Sequence, residues 1–458
     1  MMRGLDICIA LGLAGCAMVG PDYRRPESPL PASFPAAEAS AAAAASVGPQ
    51  WWRLYNDRLL DELIASGLER NADVRLAAAR VEEAEASLRE ARATLFFPLV
   101  EGSGGASRAR TIRTGLENTF DIGLSTSFEI DLWGRLRRAE RSVREELLAS
   151  RYARDTVSLT LAGAIARTYF AARSLDSQYT ASQEILRAAT DSVELTRKRA
   201  DAGVASILEV YQAGTLRTAA AGQAKEIARQ RAVIVHQLGV LTGQLGLQLP
   251  AGEVTSLPLP PLPPAGLPSQ LLERRPDVRE AEASLAAATE RIGVARAAQL
   301  PTLSLTGTLG RESADLDGLF RKGASVWSIG AGLIGPVIDG GRYAARTAQA
   351  EAQARQAEAT YQRAVETAFR EVSDALSNVR LAADTETDLA QRVDTARKAT
   401  GLALRRYEAG YSAYLEVLEA QRTLNEALLA FIRNRQAYLA YTVDLMSALG
   451  GGWSAKDT

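Results

Sequence analysis

The sequence predicts an α+β membrane protein with an internal duplication, in which each half supplies very long helices and one pair of membrane strands. Three observations carry this. First, the chain of 458 residues is written twice. Arg70-Asn71-Ala72-Asp73-Val74-Arg75 returns as Arg274-Arg275-Pro276-Asp277-Val278-Arg279. Likewise Ala202-Gly203 with Leu208-Glu209-Val210 returns as Ala409-Gly410 with Leu415-Glu416-Val417. A repeat on this scale exceeds the ~20–50 residues of a solenoid unit and marks a duplicated half-domain. Second, residues 135–200 and 340–407 contain no proline. A helix of that length spans ~100 Å at 1.5 Å per residue, which suits a tube or a rod. Third, three segments alternate apolar and polar residues with the strand period of two, and the duplication places a fourth strand beside them.

Bulk properties exclude several classes. The formal net charge is −1, so no global field recruits nucleic acid or anionic lipid. No stretch approaches the ~20 apolar residues of a spanning helix, so any membrane crossing uses strands. The only cysteines are Cys8 and Cys16, which leaves disulfides out of the fold. The single histidine, His236, removes most histidine-based catalytic and metal sites; it lies among apolar helix residues and is expected to be packed.

Residues 1–15 read as a signal peptide: Arg3, an apolar run from Ile7 to Ala14, then Leu13-Ala14-Gly15-Cys16. The last four resemble a lipoprotein cleavage box, with Cys16 as the acylated first residue and Ala17 after it, a pattern that resembles sorting to the outer membrane. Covalent acyl chains anchor and do not conduct, and no other cofactor is expected. Residues 16–56 form a lipidated N-terminal arm, extended over the surface and pinned by Trp51-Trp52. The first repeat spans 57–250, a Pro-rich linker 251–268, the second repeat 269–450 and a C-terminal tail 451–458.

Each repeat opens with a helical seam. Val74, Ala77, Val81, Ala84, Leu88, Ala91 and Leu95 are spaced three and four apart, as are Val278, Ala281, Leu285, Ala288, Ile292, Ala295 and Gln299. That alternation is a coiled-coil stripe, and its alanines allow close approach. Strands follow at about 99–110 and 119–132, and at about 302–311 and 325–335. The second strand is the clearest: Phe120, Ile122, Leu124, Thr126, Phe128, Ile130 and Leu132 alternate with Asp121, Gly123, Ser125, Ser127, Glu129 and Asp131. The first is Gly/Ser-rich and is placed by its repeat partner. Long helices then run to glycines at 203 and 410, residues suited to the left-handed turn that ends a helix. New helices continue to about 247 and 449, so each half ends as a helical hairpin.

A soluble sheet covered by helices would alternate in the same way; the lipoprotein box and the helix lengths favour a barrel. Four strands cannot close one, and open edges are not tolerated in lipid. The chain must therefore oligomerise, with dimers giving eight strands and trimers twelve.

Several segments resemble the outer-membrane factor family, the TolC-type channels, in its NodT-type lipoprotein branch. They are Val19-Gly20-Pro21-Asp22-Tyr23 with Arg25-Pro26, Phe128-Glu129-Ile130-Asp131-Leu132-Trp133-Gly134-Arg135, and Leu267-Pro268-Ser269 with Arg274-Arg275-Pro276-Asp277-Val278. Gly335-Pro336-Val337-Ile338-Asp339-Gly340-Gly341-Arg342 and Ala448-Leu449-Gly450-Gly451-Gly452-Trp453 complete the set. The resemblance implies a homotrimer whose twelve-stranded outer-membrane barrel, four strands per chain, is continued by a long periplasmic α-helical barrel. It implies the passive exit duct of a tripartite efflux pump for drugs or other small toxic solutes, with a periplasmic adaptor protein and a proton-driven inner-membrane transporter as partners. An exit duct for ABC-driven protein secretion would use the same fold. No nucleotide-binding loop is present.

Two sites follow from the resemblance. Gly203-Val204-Ala205 and Gly410-Tyr411-Ser412 are the hairpin tips that would meet the adaptor. Leu415, Glu416 and Glu419 match the periplasmic aperture, where threefold symmetry turns each carboxylate into a ring that favours cations and raises its own proton affinity. Glu stands here where some relatives have Asp, and the repeat partners are Glu209 and Gln212. Arg405, Arg406 and Tyr407 are candidates for breakable contacts between hairpins. A coiled-coil scaffold leaves the alternation at 120–132 unexplained, and an enzyme is disfavoured because Asp339 sits at a strand-to-helix junction without a partner in view.

Overall fold

The computed structural model describes residues 18–27, 30–31, 33–34, 48–112, 115–262 and 268–453. The expected signal peptide, Cys16 and the end of the C-terminal tail lie outside the described residues. In chain order the elements are α1 (Arg58–Arg70), α2 (Ala72–Phe96), β1 (Leu99–Thr111), β2 (Gly115–Ile130), α3 (Arg135–Asp201) and α4 (Ile207–Leu241). The second half brings α5 (Pro276–Ala297), β3 (Thr302–Ser313), β4 (Ser325–Ile334), α6 (Arg342–Glu408) and α7 (Tyr414–Ala448). The duplication reaches element length: α3 and α6 have 67 residues each, α4 and α7 have 35 each. Among the described residues no helix is long and apolar enough to cross a membrane. The chain divides into two compact units, one of residues 1–28, 79–152 and 279–364, the other of residues 29–78, 153–278 and 365–458.

The first unit holds the sheet, in order β1-β2-β3-β4, with every neighbouring pair antiparallel. Directly paired residues share a face. The register therefore puts Val100, Ile122, Leu124, Phe128, Leu305, Leu309, Trp327, Ile329 and Leu333 on one side. All of these side chains but the half-buried Phe128 are exposed where they would be buried in a soluble sandwich, Ile329 to 83% and Trp327 to 71%. Ser125, Ser127, Ser304, Thr306, Thr308 and Ser328 line the other side, where the Thr308 and Ser328 hydroxyls meet at 2.7 Å.

Strand β2 starts and stops earlier than the alternation suggests, at Gly115 and Ile130. The Leu132 amide donates back to the Ile130 carbonyl at 2.9 Å, which breaks the ladder. The Asp131 carboxylate then caps α3 by accepting from the Leu136 and Arg137 amides at 3.0 Å each. Its repeat partner Asp339 caps α6 in the same way, accepting from Gly341 and Tyr343 at 3.1 and 2.9 Å. Those backbone donors hold the Asp339 carboxyl below its ordinary value. The carboxylate that sequence reading left without a partner is a helix cap.

In the same unit Val81, Leu88 and Leu147 pack with Ala84 and Val143, as the seam predicts. Helix α5 is buried over a wider face than its stripe, including Ala283, Ala286, Glu282 and Glu290. The N-terminal arm covers the extra surface. Arg138, 1% exposed, donates to the Gly20 and Pro21 carbonyls and to Asp22 and Glu290, all within 3.1 Å. Tyr23 and Arg25 donate to Glu282 at 3.1 and 2.7 Å. Burial, then the Glu282 charge, pushes the Tyr23 phenol up, so it stays a donor. Gly293 makes the approach possible, because a Cβ there would lie 2.8 Å from the Val19 carbonyl oxygen and press on Arg138.

The second unit is built on Trp51, Tyr55, Leu60, Ile64, Ile165, Tyr169, Phe170, Leu238, Leu439, Val443 and Met446. Trp51 is 1% exposed, so the end of the arm is pinned where the sequence places the pin. Asp57 caps α1 by accepting from the Leu59 and Leu60 amides, and Tyr169 donates to the same carboxylate. The Tyr55 hydroxyl meets Thr442 at 2.8 Å inside this core. Two expectations fail here. Helix α4 ends at Leu241 rather than near 247, because Gly243 adopts φ +68° and the Thr242 hydroxyl turns back onto the Leu238 carbonyl. His236 is exposed, not packed: the buried side of α4 at this level is Val235, Leu238 and Gly239.

Candidate functional site at the hairpin tips

The two hairpins of the second unit turn in the same way. Gly203 and Gly410 take φ +75° and +81°, and no atom lies within 4 Å of a Cβ built on either. In the first turn the Gly203 amide donates to the Ala200 carbonyl and the Val204 amide to the Arg199 carbonyl, at 2.9 and 3.0 Å. In the second, Gly410 donates to Tyr407 and Tyr411 to Arg406, at 3.0 and 2.8 Å. This is the Schellman pattern, which uses the last free carbonyls of a helix and needs a left-handed residue. Ser206 then caps α4 through the Leu208 amide, whereas Ala413, the residue before α7, offers no side-chain cap.

The tips present apolar surface. Val204 is 65% exposed and Tyr411 81%, with Ile207, Leu208 and Tyr211 exposed nearby on the first hairpin and Leu415 on the second. Ala205 and Ser412 are half-buried. Such patches on a hairpin end suit docking.

Leu415, Glu416 and Glu419 come out on one exposed face of the first turns of α7, while Tyr414 and Val417 on the opposite face are buried with Ala213, Ala403 and Tyr407. Glu416 pairs with Arg406 at 3.8 Å and Glu419 with Arg422 at 3.4 Å, and all four side chains are more than half exposed. In the high dielectric at such positions these pairs contribute little, so both carboxylates remain available to whatever lies in front of them.

The repeat partner of Glu416 is held differently. Tyr407 donates its hydroxyl to Glu209 at 2.6 Å, which ties the second hairpin to the first. Arg199 sits 4.7 Å above the Tyr407 ring and donates to the Glu408 carbonyl at 3.1 Å. Burial and then the Glu209 charge raise the Tyr407 phenol, keeping it protonated and donating. Of the three residues proposed for contacts between hairpins, Tyr407 makes one, Arg406 pairs within its own hairpin, and Arg405 is exposed. Sequence reading missed Arg199 and the role of Glu209. The signal was in the duplication, since Arg199 and Glu209 stand where Arg406 and Glu416 stand in the second half.

A family model described as outer membrane efflux protein matches residues 63–244 and 267–451, one block in each half of the chain. The chain is 34% identical, over 99% of each protein, to the toluene efflux pump outer membrane protein TtgI of Pseudomonas putida. It is 32% identical, over 98% of each, to the cation efflux system protein CusC of Escherichia coli. The crystal structure of the Campylobacter jejuni CmeC outer membrane channel matches with a TM-score of 0.88 at 28% identity, over 95% of each chain.

Proposed function

The chain belongs to the outer membrane efflux protein family, and on that premise we propose that it is the passive exit duct of a tripartite pump for drugs or other small toxic solutes. It is an outer-membrane protein with the α+β fold of the trimeric channels, four strands per chain in a twelve-stranded barrel continued by a helical barrel. The observation that carries the duct reading is the paired tips: two identical Schellman turns expose Val204 and Tyr411, beside an acidic face at Glu416 and Glu419. Exposed apolar turns favour capture by a periplasmic adaptor, which in turn recruits a proton-driven inner-membrane transporter. Leu415, Glu416 and Glu419 form the aperture, and their carboxylate rings favour cations over anions. Cys16 carries the covalent lipid that anchors the arm. A passive duct takes its solute from the transporter it joins; TtgI serves toluene efflux and CusC cation efflux.

Photo-crosslinking in cells from an unnatural residue at position 411, followed by identification of the attached protein, tests this. Capture of an adaptor of a proton-driven small-molecule pump supports the reading. An adaptor of an ABC exporter moves the function to protein secretion, and no periplasmic partner from a well-expressed channel overturns the tip assignment.

A further inference from the structure

The strand register sorts charge by face. Glu101, Glu117, Asp121, Glu129 and Glu312 all fall on the polar side of the sheet, and Arg108, Arg110 and Arg311 all fall on the apolar side. Among the described residues of β1 to β4 no acidic side chain shares a face with an arginine. All three arginines are exposed, and among the described residues the one side-chain hydrogen bond they make is from Arg311 to the Leu319 carbonyl at 3.5 Å.

Their height is also set by the register. Arg311 lies opposite Ile122, two pairs beyond the Leu124, Leu309 and Trp327 row and next to it on that face. Arg108 and Arg110 lie opposite Asn118 and Leu116, past Phe120 and Ala106 at the end of the apolar run. This is the end where β1 joins β2 and β3 joins β4; the helices leave from the other. In a barrel with periplasmic helices, that end faces the cell exterior. Arg321 and Lys322 follow, exposed, in the β3–β4 connection.

A lipid-facing arginine is costly at mid-bilayer and nearly neutral at the interface. Tolerance alone does not explain why the face carries guanidinium and excludes carboxylate. Guanidinium forks match phosphate oxygens bidentately, and anionic headgroups attract such clusters. We propose that Arg108, Arg110 and Arg311 form a seat on the barrel's outer wall for the phosphate groups of a phosphorylated glycolipid of the outer leaflet, repeated in each protomer of the trimer.

The test uses the full-length trimer in nonionic detergent, followed by native mass spectrometry during titration with bisphosphorylated lipid A. Parallel titrations use the same lipid with its phosphates removed, phosphatidylglycerol and inorganic phosphate. The expected result is at least tenfold weaker retention of the dephosphorylated lipid and of phosphatidylglycerol, with no competition from millimolar inorganic phosphate. An Arg108→Gln, Arg110→Gln, Arg311→Gln variant should lose lipid A retention tenfold, while Glu101→Gln on the other face keeps it. Equal retention of the dephosphorylated lipid by the unchanged protein overturns the proposal whether or not the triple variant assembles. So does equal retention of phosphatidylglycerol, which would make the surface a general anionic one, or displacement by inorganic phosphate, which would make it an ion site. Undiminished lipid A retention by an assembled triple variant, or by Arg311→Gln alone if the triple fails to trimerise, overturns the residue assignment.

Discussion

Tyr407 connects the two hairpins through one hydrogen bond, from its hydroxyl to Glu209 at 2.6 Å, in a setting where its ring is already covered by Arg199. Hydrogen bonds to a charged partner contribute about 1.5–3 kcal/mol. Tyr407→Phe keeps the ring and the stacking and removes the tie. The expected outcome is a hairpin end that opens more readily, read as a higher mean single-channel conductance in planar bilayers with little change in the trimer's melting temperature. Conductance equal to the parent's would show that the bond does not restrain the opening. The sequence names Tyr407 but not its acceptor, because Glu209 lies 198 positions away and on the other hairpin. His236 shows the same limit: an apolar neighbourhood along the chain does not reveal which side of the helix turns inward, and here Val235 and Leu238 do.

At the scale of an element, β2 tests the membrane reading most directly. Leu124 and Ser125 are adjacent, and the register sends them to opposite faces. An arginine on a lipid-facing strand near mid-bilayer costs about 2–4 kcal/mol, whereas one facing the lumen costs little. Leu124→Arg should therefore lower assembled trimer in outer-membrane fractions strongly, and Ser125→Arg should leave it near the parent level; equal losses would sink the facial assignment. Period two made β2 legible from sequence, whereas β1, rich in Gly and Ser, was legible only through its place in the duplication. The end of α4 was not, since the left-handed conformation of Gly243 is a property of the packed turn.

Helices α2 and α3 offer a pH readout within the first unit. Glu140 accepts from Arg144 at 2.7 Å and from Arg92 at 3.0 Å. Burial alone would raise its carboxyl, but the two arginines outweigh burial and hold it below the ordinary 4.5. A folded value below the unfolded one means the stabilisation is present above 4.5 and is lost as pH falls through the folded value. Thermal melting of the parent should thus fall more steeply below that pH than melting of Glu140→Gln; parallel curves would remove Glu140 from the account of acid sensitivity.

For the whole molecule, the decisive fact is an incomplete sheet. Strands β1 and β4 each have one neighbour in the chain, so each leaves a row of backbone donors and acceptors without partners. In hydrocarbon each unpaired group costs several kcal/mol, so a single chain has no stable inserted state. That incompleteness was legible from three alternating segments and a fourth placed by the duplication, and the choice of three copies over two came from family resemblance because period and composition are the same in either closure. The physical consequence is that barrel formation and association are one event. Refolding from denaturant into detergent micelles should accordingly yield the protease-resistant barrel at a rate that rises steeply with chain concentration, while helix formation followed by far-UV circular dichroism stays independent of it. The long helices share a core within one chain, around Ile165, Leu238, Leu439 and Val443, whereas the strand edges have no such partner. A barrel signal that appears with first-order kinetics at high dilution would mean that one chain closes its own edges, and the four-strand register described for this sheet would then have to rearrange in the membrane.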